Sequence, residues 1–164
     1  MSNDNNYNPV LWVNSSQNND ELSDRYNTWS ATYNDDVSQD FDWNGPNIAS
    51  DIFEKYVPKS SQILDAGAGT GLAGHLLKEK GYLDLTGMDL SQGMLSQAAK
   101  KNIYKELHKM VMGQPLSFPS NRFNATNKYR CYDSWTRSSG ITGRTNQGDC
   151  TYGPHSIHFE NRRL

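Results

Sequence analysis

Seven consecutive residues, Asp65-Ala66-Gly67-Ala68-Gly69-Thr70-Gly71, spell D-x-G-x-G-x-G. Three glycines at alternate positions permit positive φ and let the backbone approach a ligand more closely than any Cβ would allow. The residues just beyond read as a helix. The bend therefore opens onto a helix N-terminus, whose unpaired N–H groups and positive dipole end suit a carboxylate or a phosphate. Downstream, Asp89 closes a second short apolar run, where a carboxylate accepts hydrogen bonds from both hydroxyls of a ribose. The chemistry these residues support is the holding of a nucleoside ligand by its ribose and by an anionic or zwitterionic end.

Two cofactors use such a frame. Gly69-Thr70-Gly71-Leu72-Ala73-Gly74 also satisfies G-x-G-x-x-G, and with Asp89 at its spacing this is the pattern of a dinucleotide site. Asp65 separates the two. A carboxylate at the mouth of the bend repels a pyrophosphate, yet it receives the ammonium of a methionine moiety and adds negative potential near a sulfonium. S-adenosylmethionine is therefore the favoured reading and a dinucleotide the weaker one. A third reading, in which the glycines only pack a helix on a strand, leaves the two acids without a purpose.

The elements that must position these residues are set by periodicity. Gln62-Ile63-Leu64-Asp65 reads as a buried strand running into the bend. Leu72, Leu76 and Leu77 form a helix face with Gly81 as its C-cap. Asp84 to Asp89 reads as a second strand, and Ser91 N-caps a helix carrying Met94, Leu95 and Ala98. Met110-Val111-Met112 is a third short apolar run. Strand and helix alternate, which predicts an α/β, Rossmann-like parallel sheet with helical crossovers, truncated after its third strand. Upstream, Leu22, Tyr26, Trp29 and Tyr33 recur at helical spacing over about 21–35. Pro46 opens another helix, with Ile48, Ile52, Phe53 and Tyr56 as its core face and Pro58 as its stop. His75 and His108 fall within helical patterns and read as surface or packing residues. No Cys/His spacing suggests a metal site.

Among the 164 residues, 35% are hydrophobic, and the mean hydropathy is −0.83, so part of the chain is expected to lie outside any core. Residues 1–20, rich in Asn, Ser and Asp, read as a disordered leader. Residues 21–125 read as the ordered domain and 126–164 as a tail. The net charge of −2 argues against general nucleic-acid or membrane-surface binding. The charge is uneven, with Arg25 alone against eight acids in residues 1–50 and a basic surplus after residue 120. No apolar run is long enough to span a bilayer. The N-terminus lacks the blocks of a secretory signal. The two cysteines, Cys131 and Cys150, are therefore expected as reduced thiols in a cytoplasmic protein.

Ile63 to Gly74 resembles the first motif of class I S-adenosylmethionine-dependent methyltransferases, and Leu85 to Leu95 resembles their second. Tyr26-x-x-Trp29-x-x-x-Tyr33-Asn34-x-Asp36-Val37, followed by Gly45-Pro46, narrows the likeness to the methyltransferase-like proteins of the Williams–Beuren syndrome chromosome region, and Met110 to Ala125 continues it. The resemblance implies that Asp65, Gly67, Gly69 and Gly71 cradle the methionine end. Asp89 would hold the ribose, with Leu90 and Met94 flanking the adenine. The stretch around Met112 and Gly113 would meet the adenine edge, where many class I enzymes carry an acid that is missing here. Tyr33 is a candidate for covering the methyl group, since an aromatic face attracts a sulfonium. It reads equally well as part of the buried stripe with Tyr26 and Trp29. The implied activity is methyl transfer to a small or unidentified acceptor; the alternative is a non-catalytic fragment.

The tail breaks the resemblance. Residues 124–164 have only Ile141, Ile157 and Leu164 as aliphatic residues, and no segment there reads as a buried strand. Arg130 to Arg137 admits codons whose next frame reads Gly-Val-Met-Thr-His-Gly-His-Val, similar to the segment after the family's fourth strand. The tail is therefore expected to be a frameshifted reading of a missing C-terminal half. In the family's strand order the first strand lies between the second and the fourth. Loss of the fourth would leave the strand bearing Asp65 as an exposed edge.

Overall fold

The computed structural model describes residues 8–40, 45–129, 150–152 and 155–159. Four helices precede the sheet: α1 (Pro9–Asn14), α2 (Asn19–Trp29), α3 (Tyr33–Asp40) and α4 (Gly45–Tyr56). Then β1 (Ile63–Ala66), α5 (Leu72–Glu79), β2 (Leu85–Asp89), α6 (Gln92–Lys100) and β3 (Glu106–Lys109) alternate as expected. They are followed by β4 (Ala125–Tyr129), β5 (Cys150–Tyr152) and β6 (His155–Phe159). The sheet order is β3-β2-β1-β4-β6-β5. The first four strands in that order are parallel, and β6 and β5 add antiparallel to β4. This is the expected α/β, Rossmann-like arrangement. Among the described residues no helix is long and apolar enough to cross a membrane.

The truncation after the third strand is corrected. Ala125, Thr126 and Asn127 pair in parallel with Ile63, Leu64 and Asp65, so a fourth strand covers β1 and its edge is not open. Composition hid this strand, because Ala-Thr-Asn-Lys-Tyr has no Val, Ile or Leu. Its inward positions are instead the small Ala125, 3% exposed, and the hydrogen-bonded Asn127, 2% exposed. The third strand also moves upstream: it is Glu106–Lys109, not Met110–Met112. The short apolar run lies just past it, where Met110 and Met112 pack beneath the sheet. His108 thereby stands on a strand, edge-on to Phe118 at 5.0 Å, rather than on a helix.

The sheet's alternation divides the core in two. Ile63, Leu85 and Ala125 face α4 and α5 and pack with Phe53, Val57 and Leu77. Leu64, Ala66 and Met88 face the other way, against Met110, Met112, Phe118 and Phe123. Helix α5 ends as expected at Gly81, whose φ is 90°. The Gly81 N–H donates to Lys78 O at 2.9 Å and the Tyr82 N–H to Leu77 O at 3.0 Å, the paired bonds of a left-handed helix stop. Tyr82 then buries its ring, with its hydroxyl 2.8 Å from the carbonyls of Phe53 and Val57 at the end of α4. That contact fixes α4 against α5. On α4 itself, Phe53 is fully buried, whereas Ile48 and Tyr56 are 47% and 53% exposed. The helix thus turns a narrower face to the core than its four apolar positions suggest.

The N-terminal helices form a third cluster. Val13, Trp29 and Val37 are buried with Val10, Trp12, Leu22, Tyr26 and Tyr33 around them. Residues 1–7 lie outside the described residues, but within the stretch read as a disordered leader Pro9–Asn14 form helix α1. Asn8 caps it by accepting from Val10 and Leu11 N–H, and Val13, 1% exposed, anchors it. The helix expected over 21–35 breaks at Ser30–Thr32 into α2 and α3. Asp36 holds the break, accepting from Trp29 Nε1 at 2.6 Å and Thr32 Oγ1 at 2.8 Å.

Candidate functional site

Strand β1 hands the chain to a turn in which Gly67, Gly69 and Gly71 all have positive φ, 78°, 54° and 83°. An L side chain is strained in that region, so the alternate-glycine spacing is a backbone requirement. The turn is fastened to β2: the N–H groups of Gly67 and Ala68 both donate to Met88 O at 2.9 Å. Helix α5 starts immediately after, with Gly71 at its N-cap position and so no side chain there to cap it.

Asp89 lies at the C-terminal end of β2, beside the turn. Its Oδ2 accepts from the Gly69 N–H at 2.9 Å, and its Oδ1 accepts from the Ser91 N–H at 2.9 Å. Burial pushes its carboxyl above the ordinary carboxylate range, and these N–H groups oppose that shift. Each oxygen has a second lone pair for a ligand hydroxyl.

Asp65 is placed differently from the sequence expectation. It is 1% exposed and shares the face of Ile63, behind the turn on the α5 side of the sheet. Its Oδ2 accepts from the Tyr104 hydroxyl at 2.5 Å and its Oδ1 from Asn127 Nδ2 at 2.8 Å. Burial pushes the carboxyl up to about 6, against the pull of these two hydrogen bonds, and the charge of Asp89 adds to the rise. Two internal donors thus engage the carboxylate that was expected at the mouth of the bend.

Over the turn lies a cavity of about 290 Å³, at the small end of ligand pockets. Its floor is Gly67, Ala68, Gly69 and Thr70, and one wall is Leu72, Ala73, His75 and Leu76 of α5. The opposite wall is Tyr33, Asn34, Val37 and Ser38 of α3, with Asn47 of α4. The structure therefore brings Tyr33 together with Gly67 and Gly69. Tyr33 also belongs to the aromatic stripe, edge-on to Trp29 at 4.7 Å. Asp65, Gly71, Asp89, Leu90 and Met94 do not line this cavity. Met94 is 2% exposed on the inner face of α6, and Leu90 offers its carbonyl to Ser23 Oγ at 3.1 Å.

Two asparagines that the sequence reading did not single out for a role hold the N-terminal helices onto the site. Asn27 Oδ1 accepts from Ser91 Oγ at 2.7 Å and from the Gly93 N–H at 2.8 Å, at the start of α6. Asn34 Oδ1 accepts from Thr70 Oγ1 at 2.6 Å, in the glycine turn. A Cβ on Gly93 would lie 2.8 Å from Ser30 Oγ and 2.9 Å from Asn27 Cα. That glycine is what lets α2 come so close. A sequence signal existed for Asn34, which adjoins Tyr33 in the upstream pattern; Asn27 had none.

Residues 63–135 match a methyltransferase domain family. The chain is also 36% identical over 104 residues to human methyltransferase-like protein 27, a match covering 61% of this chain and 42% of that protein. The chain thus spans about two fifths of the length of this relative. Both matches support a methyltransferase.

Proposed function

We propose that this chain binds S-adenosylmethionine as a class I methyltransferase and serves methyl transfer to a small acceptor. One observation carries the reading: a turn of three positive-φ glycines, of which Gly67 and Gly69 line a cavity, is tied through the Gly69 N–H to the carboxylate closing β2. That pairing puts a site for an amino-acid end next to a site for a ribose. The match of residues 63–135 to a methyltransferase domain supports the same cofactor.

The residues present fit the group. A Cβ built on Gly69 meets nothing within 4 Å, so the space above the turn is left for a ligand. The start of α5, with no capping side chain on Gly71, suits the methionine carboxylate. Asp89 would hold the ribose hydroxyls, and Tyr33 would cover the methyl side. When bound, the cofactor supplies an electrophilic methyl group on a sulfonium. The protein's contribution is to orient donor and acceptor in line and to keep water out, which needs no dedicated acid or base.

Isothermal titration with S-adenosylhomocysteine tests this directly. A Kd on the order of micromolar is expected, followed by transfer of labelled methyl groups to a small-molecule acceptor panel. Heat with NADH and none with S-adenosylhomocysteine would assign the site to a dinucleotide. No heat with either would make the chain a non-binding fragment.

A further inference from the structure

Helix α5 starts without a cap of its own, because Gly71 has no side chain and the first-turn N–H groups of a helix have no partners within it. Tyr104, in the connection between α6 and β3, reaches in from outside. Its hydroxyl lies against the first turn of α5 at Gly74. That hydroxyl donates to Asp65 Oδ2 at 2.5 Å. The ring sits in a slot made by absent side chains. A Cβ on Gly74 would lie 2.2 Å from its hydroxyl oxygen, one on Gly71 3.3 Å from Cε2, and one on Gly87 3.2 Å from Cδ1. Next to it, the Lys105 N–H donates to Leu85 O at 2.8 Å, which fixes the backbone that carries the ring. Gly74, which completes the dinucleotide-like spacing in the sequence, is therefore a glycine because of Tyr104 and not because of a ligand.

We propose that Tyr104 is the positioning residue of the glycine turn: its ring packs against the glycines that open α5 while its hydroxyl holds Asp65, so ligand affinity at the turn depends on a group the ligand does not touch. Asn127 completes the arrangement by holding the other oxygen of Asp65 from β4. Among the described residues, the charge of Asp89 also acts on Asp65. The turn is thereby held by β2 through Met88, and Asp65 just before it by β4 through Asn127 and by the α6–β3 connection through Tyr104.

The proposal rests on the cofactor assignment only for its binding probe. The test compares the full chain with its Tyr104→Phe variant, which keeps the ring and removes the hydroxyl. Two readouts are taken: titration with S-adenosylhomocysteine and amide hydrogen exchange in ligand-free protein. The variant is expected to bind about fivefold to tenfold more weakly. Exchange of the Gly71 N–H, which donates to Ala68 O within the turn at 2.8 Å, is expected to rise about tenfold while that of Leu95 in α6 stays unchanged. Should Tyr104→Phe not melt cooperatively, Gly74→Ala, which displaces the hydroxyl, takes its place with the same expectations. Unchanged Gly71 exchange in Tyr104→Phe overturns the proposal whatever the ligand does. Absence of heat from the unmodified chain overturns the cofactor assignment alone, because the exchange comparison needs no ligand.

Discussion

The Gly69 N–H donates to Asp89 Oδ2 at 2.9 Å, so the glycine turn and the end of β2 are one unit. The bond matters beyond its own energy. A ligand that spans both loops finds their spacing already set, and does not spend binding energy on ordering them. Asp89→Asn keeps the shape and one acceptor oxygen but removes the charge. Affinity for S-adenosylhomocysteine should fall about tenfold to hundredfold, since hydrogen bonds to charged groups are worth about 1.5–3 kcal/mol. Thermal stability should fall too, by about 1–3 kcal/mol, because the amide nitrogen would face the N–H of Gly69 or of Ser91 and leave that donor without an acceptor. Titration and a melting curve on the same sample check both halves. A large loss of stability with unchanged affinity would make Asp89 a structural acid only.

Asp65 makes a pH dependence with a definite sign. Its folded carboxyl titrates near 6, above the ordinary unfolded value of about 3.9. The folded state therefore binds this proton more tightly than the unfolded state. The stabilisation is full below pH ~4 and is lost as pH rises through about 6, a change on the order of 3 kcal/mol. Asp65→Asn has no proton to lose. Urea denaturation at pH 4, 5, 6 and 7 should show the stability of the unmodified chain, relative to the variant, declining across that window. Parallel curves would mean that Asp65 is charged throughout.

Much of the site was legible because the backbone dictated residue type. Gly67, Gly69 and Gly71 had to be glycine at their φ values, and Ser91 caps α6 by accepting from the Met94 N–H at 3.1 Å. Gly81 stops α5 for the same local reason. The features that escaped reading depended on partners distant in sequence. Asn127 looks like a loop residue until Asp65 lies opposite it in the neighbouring strand. The same holds for β4 as a whole, which is a strand by pairing rather than by composition. Asp65 itself was assigned to the ligand from its charge, its place before the bend and the family resemblance, none of which says which face of β1 it occupies. Tyr104 was passed over because no periodicity marks a side chain that fills a slot left by three glycines.

The N-terminal helices should be separable from the sheet by a single change. Asn27 Oδ1 takes two hydrogen bonds at the start of α6, from Ser91 Oγ and the Gly93 N–H. Asn27→Ala leaves both donors without that acceptor at a tightly packed contact, at a cost of about 1–3 kcal/mol. The expected outcome is a lower melting temperature, with faster proteolysis within residues 8–40 than within the sheet. Gly93→Ala should act in the same way, since its Cβ would meet the backbone of α2. A variant that loses stability evenly across the chain would mean that α2 and the sheet unfold as one unit.

Tyr33 offers a test that separates a cationic ligand from its neutral product. Its ring lines the cavity beside Gly67 and Gly69 and is braced edge-on by Trp29. An aromatic face near a sulfonium contributes about 0.5–2 kcal/mol to the cation and little to a thioether. Tyr33→Leu should therefore weaken S-adenosylmethionine by about threefold to thirtyfold more than it weakens S-adenosylhomocysteine. Tyr33→Phe, which keeps the ring face, should preserve the ratio of the two affinities. Paired titrations of both ligands against the three proteins give that ratio directly. Equal losses for both ligands in Tyr33→Leu would reduce Tyr33 to its other role, packing on Trp29, and would put the methyl group elsewhere in the cavity.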